Sequence, residues 1–142
     1  MTTIEIVLAT LLGFLFVTHI QLLMLFSWYN RVMPKVAAHY KPEYQTIRNT
    51  IKHLPTGLKL EFILFLGYDV WCNWTSISLR FVQLPHGLFQ TVTERFRKWR
   101  ELPSKYSNDI SKMSMTDWRR YDFAVDICDQ RLDIVDPRGD HC

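Results

Sequence analysis

The seven residues from Asp136 to Cys142 concentrate the side-chain types that do chemistry. Asp136, His141 and Cys142 put a carboxylate, an imidazole and a thiol within one short stretch. Cys128, His141 and Cys142 together would give three of the four ligands of a tetrahedral zinc site, with an aspartate or water as the fourth. The spacing argues against that use, because two ligands are adjacent and no C-x-x-C pair is present. The same His-Cys pair is a poor nucleophile and base, since neighbouring side chains seldom reach the needed hydrogen-bond geometry. The chain has no phosphate-binding glycine loop, no H-E-x-x-H and no G-x-S-x-G. The reading leans away from an enzyme, with no cofactor expected and zinc kept as the alternative.

Two further groups carry chemistry. Asp69 and Asn73 stand four positions apart, on one helical face, inside an otherwise apolar stretch. An ionisable side chain in such a segment is a functional hypothesis by default, the plainer reading being a polar seam between two helices. Asn73-Trp74-Thr75 also matches a glycosylation acceptor, which a cytoplasmic placement would keep unmodified. The second group is Arg95, Arg97, Lys98, Trp99 and Arg100. With Leu88, Val92, Phe96 and Trp99 as an apolar stripe, the span from Gly87 to Arg100 reads as a basic amphipathic helix on an anionic membrane surface.

The elements that position these residues begin with the run from Ile6 to Tyr29, which holds no Lys, Arg, Asp or Glu. That length of apolar chain suffices to cross a bilayer. Glu5 precedes it and Arg31 and Lys35 follow, which places its C-terminal end in the cytoplasm. A cleaved signal would want basic residues before the run and a small-residue site after it, and neither is present. His19 and Gln21 are polar groups at membrane depth, where an interhelical hydrogen bond is the expected outlet. Met33-Pro34 is read as the end of this helix. A basic connecting helix over residues 31–57 follows, starting near Pro42 with Tyr44, Ile47, Ile51 and Leu54 at helical spacing, and Leu54-Pro55-Thr56-Gly57 breaks it. The second apolar segment, Leu58 to Leu84 (residues 58–85 with Pro85), is re-entrant or spanning. Its polar load and the basic stretch after it favour the re-entrant form.

Residues 86–142 read as a helical module, basic and then acidic. Residues 80–120 carry nine Lys or Arg against four acids, and residues 121–142 carry six Asp against two Arg. The stretch from Leu102 to Met113 reads as loop. A helix from Met115 to Val135 follows, with Ser114 and Asp117 as its cap. Trp118, Tyr121, Val125, Cys128, Leu132 and Val135 form its apolar seam. Asp136-Pro137-Arg138-Gly139 ends it. The net charge of +3 is too small to imply nucleic acid, and three cysteines without paired spacing argue against a disulfide scaffold.

The order Asp69, Asn73-Trp74-Thr75, Leu84-Pro85, Thr93-x-Arg95 and a final Asp136-Pro-x-Gly-x-His141-Cys142 resembles a group of small uncharacterised membrane proteins of tailed bacteriophages. The resemblance covers about residues 60–142. It implies a viral origin and a bacterial host, and it nominates Asp69, Asn73, Arg95, Asp136, His141 and Cys142 as a common site. The fold class expected is mainly α: a transmembrane anchor over residues 1–30, a second apolar helix and a small helical cytoplasmic module. The function expected is a membrane-anchored binding protein in the host inner membrane. The lipid bilayer and a protein engaged through residues 116–142 are its expected partners. A two-span lysis or pore-forming protein is the alternative, and a small metal or enzymatic module using His141 and Cys142 is another.

Overall fold

The computed structural model describes residues 1–44 and 47–129. The chain is mainly helical, with no strand among the described residues. Helix α1 runs from Thr3 to Ala38, 36 residues, or about 54 Å at 1.5 Å per residue. Thr2 opens it with a reciprocal cap: its hydroxyl accepts from Glu5 N–H, and the Glu5 carboxylate accepts from Thr2 N–H at 2.7 Å. The expected stop at Met33-Pro34 does not occur, and Pro34 lies inside the helix on its exposed side. A proline inside a helix costs about 3 kcal/mol. Val32, Met33 and Val36 around it are fully buried, and each such side chain returns roughly 1.5–3 kcal/mol. Packing therefore carries the helix through the proline to Ala38.

α1 has two regimes. Residues 3–17 are exposed on every face. From Thr18 onward, Leu22, Leu25, Phe26, Tyr29, Val32, Met33 and Val36 form one buried stripe at helical spacing. Among the described residues α1 is the one helix long and apolar enough to cross a membrane.

Instead of one connecting helix, a 3-10 turn at Pro42–Tyr44 and the short α2 at Ile47–Lys52 lead to α3, Thr56–Cys72. Tyr44 stacks on His53 at 4.4 Å between ring centroids, holding this corner together. α3 runs antiparallel to α1. Glu61 meets Arg31 and Lys35 near its start, and the Tyr68 hydroxyl donates to Gln21 O near its end. Phe62 and Phe65 fill the space between the two helices. The helical path continues through a π turn at Asn73–Ile77 into α4, Ser78–Phe81. It stops at Val82, whose φ of 49° is left-handed, a conformation unusual for a β-branched residue.

α5 covers Val92–Arg100 and α6 covers Met115–Ile127, joined by 3-10 turns at Leu102–Tyr106 and Ile110–Lys112 where loop was expected. α5 is capped by Thr91, whose hydroxyl accepts from Glu94 N–H. Phe81, Phe96, Trp99 and Phe123 then form an aromatic cluster, with Phe81 4.7 Å from Trp99 and 5.1 Å from Phe123.

Two sequence expectations change here. Gly87–Thr91 lies outside the α5 helix, and the stripe Val92, Phe96 and Trp99 faces the core, so α5 does not lie flat on a membrane by that face. The α6 seam is also rotated. Ala124, Ile127 and Cys128 are buried, whereas Trp118 is 42% exposed. The methyl side chain of Ala124 permits close approach of α6 to α5, a preference that a pattern of large apolar residues does not register.

Candidate functional site

Asp69, Asn73 and Arg95, three residues that the sequence nominates together, meet in one buried network. α3 and the π turn that continues it present Asp69 and Asn73 one turn apart, as the spacing required. Rather than serving one another, they turn to the chain that follows α4. Asp69 Oδ1 accepts from the Val92 N–H at 2.8 Å, which puts a carboxylate at the start of α5, where exposed N–H groups and the helix dipole favour negative charge. Asn73 Nδ2 donates to Gln90 O at 2.7 Å. Gln90 Oε1 in turn accepts from His86 N–H at 2.9 Å, pinning the loop before α5.

Arg95 is completely buried. Its Nη1 donates to Asn73 Oδ1 at 2.9 Å, to Ser78 Oγ at 3.0 Å and to Asn73 O at 3.3 Å. Nη2 donates to Gln83 O, and the guanidinium carbon lies 5.2 Å from the centre of the Trp99 ring. The π turn makes this possible. It redirects the carbonyls at its start, and Asn73 O is shared between Arg95 and the Ser78 hydroxyl. The left-handed turn at Val82 then brings Gln83 back towards Arg95.

The charges in this interior are held without an ion pair of the Asp69–Arg95 kind. Burial pushes the Asp69 carboxyl up to about 7, with the Val92 N–H pulling the other way. Burial, and then the nearby Arg120, lowers Arg95 to about 10, which leaves it cationic at neutral pH. The acceptors around Arg95 are amide, carbonyl and hydroxyl oxygens, strong partners for a guanidinium fork.

The remaining nominated residues fall elsewhere. Arg97 and Lys98 are exposed and Arg100 is half-buried, with a contact to Asp129 at 3.3 Å. Arg95 and Trp99 are interior and cannot reach lipid headgroups, because the stripe they share packs on α3 and α6. Cys128 is buried at the end of α6. Asp136, His141 and Cys142 lie outside the described residues. Among the described residues no three His, Cys, Asp or Glu side chains cluster as metal ligands.

Gln21 was expected to make an interhelical bond and does so twice: its Oε1 accepts from Ser76 at 2.7 Å and Thr75 at 3.2 Å. His19 faces outward. One feature escaped the sequence. Arg80, Arg119 and Arg120 line a cleft of about 280 Å³ with Phe81, Val82 and Thr116. Arg119-Arg120 is visible as a pair, but its meeting with Arg80 depends on α4 packing against α6. Arg80 is held there by the Phe123 ring at 5.2 Å, and Arg120 by Asp117 at 3.5 Å.

Among the described residues these elements define a helical protein with one helix suited to crossing a membrane and a packed module on the second half of that helix. No protein-family model, curated protein or solved structure matches the chain.

Proposed function

We propose that this is a small, phage-encoded, membrane-anchored binding protein whose helical module sits on the cytoplasmic face of a bacterial inner membrane. The observation that supports it best is the division of α1. Residues 6–17 are bare and carry no charge, while Thr18 to Val36 form one wall of the module core. A soluble protein does not leave such a length of large apolar side chains uncovered. The basic residues Arg31 and Lys35 follow the apolar run, which orients the module inward.

The network around Arg95 builds the module rather than acting on a substrate, since both Nη atoms are engaged by interior acceptors and Arg95 is fully buried. Recognition falls to the surface. The cleft of Arg80, Arg119 and Arg120 supplies positive charge beside Phe81 and suits an acidic segment of a host membrane protein. Phage origin rests on the sequence resemblance alone.

A reporter fused after Cys142 tests the orientation. Activity on the cytoplasmic side is expected, and an external reading overturns it in favour of a two-span lysis or pore-forming protein. Alkaline extraction tests the anchor: the chain stays in the membrane fraction, and Leu11→Arg with Leu12→Arg releases it.

A further inference from the structure

The length of bare helix is too short for the bilayer it would cross. The bare stretch free of charge, residues 6–17, amounts to roughly 18 Å of helix at 1.5 Å per residue, whereas the hydrocarbon core is about 30 Å thick. The missing ~12 Å must be covered by whatever packs at the level where α1 becomes buried. That level is fixed by Gln21, which bonds Ser76 and Thr75 and accepts from Tyr68. The edge of the module beside these residues carries Trp71, 55% exposed, Trp74, 37%, Leu88, 67%, and Phe89, 80%.

We propose that this edge, Trp71, Trp74, Leu88 and Phe89, inserts into the lipid interface beside α1, so that the module is wedged into the membrane as well as tethered to it. The proposal rests on α1 crossing the bilayer. Three observations name lipid as the occupant. The four side chains, with Gly67 and Val70, line a cleft of about 510 Å³ to which no charged residue contributes. Trp74 Nε1 donates to Leu88 O at 2.9 Å, so that indole needs no water and its ring is free to face acyl chains. Aromatic side chains with an apolar body settle at the headgroup boundary, and interfacial insertion by about 5–10 Å covers most of that shortfall. The patch that contacts membrane is thus on α3, the π turn and the loop before α5, and not on the basic face of α5.

Tryptophan quenching in phosphatidylethanolamine–phosphatidylglycerol vesicles tests this on the full chain, using lipids brominated either near the headgroup or near the chain end. Near-headgroup bromine is expected to quench the protein strongly. Trp71→Phe with Trp74→Phe should remove most of that quenching while far-ultraviolet circular dichroism stays unchanged. Leu12→Trp, placed in the same double variant, reports on the crossing itself through quenching by chain-end bromine. Quenching at Leu12→Trp with no loss on removing Trp71 and Trp74 overturns the wedge and leaves the anchor standing. Absence of quenching at Leu12→Trp overturns both. Quenching of Trp71 and Trp74 by aqueous acrylamide in place of bromolipid also overturns the wedge. Shielding from both quenchers, with cross-linked dimers, assigns the patch to a second copy and overturns it as well.

Discussion

Arg95 Nη1 lies 2.9 Å from Asn73 Oδ1, across 22 positions of sequence, and this contact closes the interior of the module. It joins the π turn to α5 with a cation that has only neutral acceptors around it. Truncating one side of such a pair leaves strong donors or acceptors buried without partners.

Arg95→Ala is expected to destabilise the detergent-solubilised protein by about 2–3 kcal/mol, because the buried acceptors of Asn73 and Ser78 lose a charged donor. Asn73→Ala should cost less, since Ser78 and Gln83 continue to hold the guanidinium. The double variant should fall short of the sum by about 1–3 kcal/mol, as coupled neighbours do. Thermal unfolding of the four proteins gives the coupling, and strict additivity would show that the contact does not organise the core.

Asp69 sets a pH dependence whose sign follows from its raised pKa. The folded carboxyl titrates near 7, above its unfolded value near 3.8. The folded state therefore binds the proton more tightly, and the Asp69 contribution is fully present below the unfolded value. It is lost as pH rises through about 7. The difference in melting temperature between the native chain and Asp69→Asn should change across that window and level off above it. A difference that does not vary with pH contradicts the buried placement of the carboxyl.

Gln21 and Glu61 both join α1 to α3, yet they should differ in worth. Gln21→Leu strips Ser76 of its acceptor in a part-buried seam and should cost about 1–2 kcal/mol. Glu61→Ala removes contacts to Arg31 and Lys35, which are 64% and 50% exposed, and should cost less than about 1 kcal/mol. Both are read by unfolding in mild detergent, where the reverse order would place the helix pair in a different register.

Ala124 and Trp118 test the rotation of α6. Ala124→Leu forces a larger side chain into a site with no exposure and should destabilise by about 1–3 kcal/mol. Trp118→Ala, on the outer side, should change stability by roughly 0.5 kcal/mol or less. The opposite ranking would restore the seam that includes Trp118.

What the sequence determined by itself was local and periodic. The unbroken apolar run fixed α1 as a helix long enough to cross a membrane, and Ser114 with Asp117 fixed the start of α6. Asp69 and Asn73 were legible as partners on one face because helical spacing alone puts them there. The tertiary structure decided what depends on contacts between distant segments. Pro34 stays in α1 because Val32, Met33 and Val36 are buried in the hydrophobic core, and no local rule contains that gain. Arg95 and Trp99 carried the composition of a membrane-surface helix, but the π turn and the left-handed Val82 place their acceptors and ring partners inside. A hydrophobic stripe states that a face will be covered. Only the packing of the other helices decides whether protein or lipid covers it.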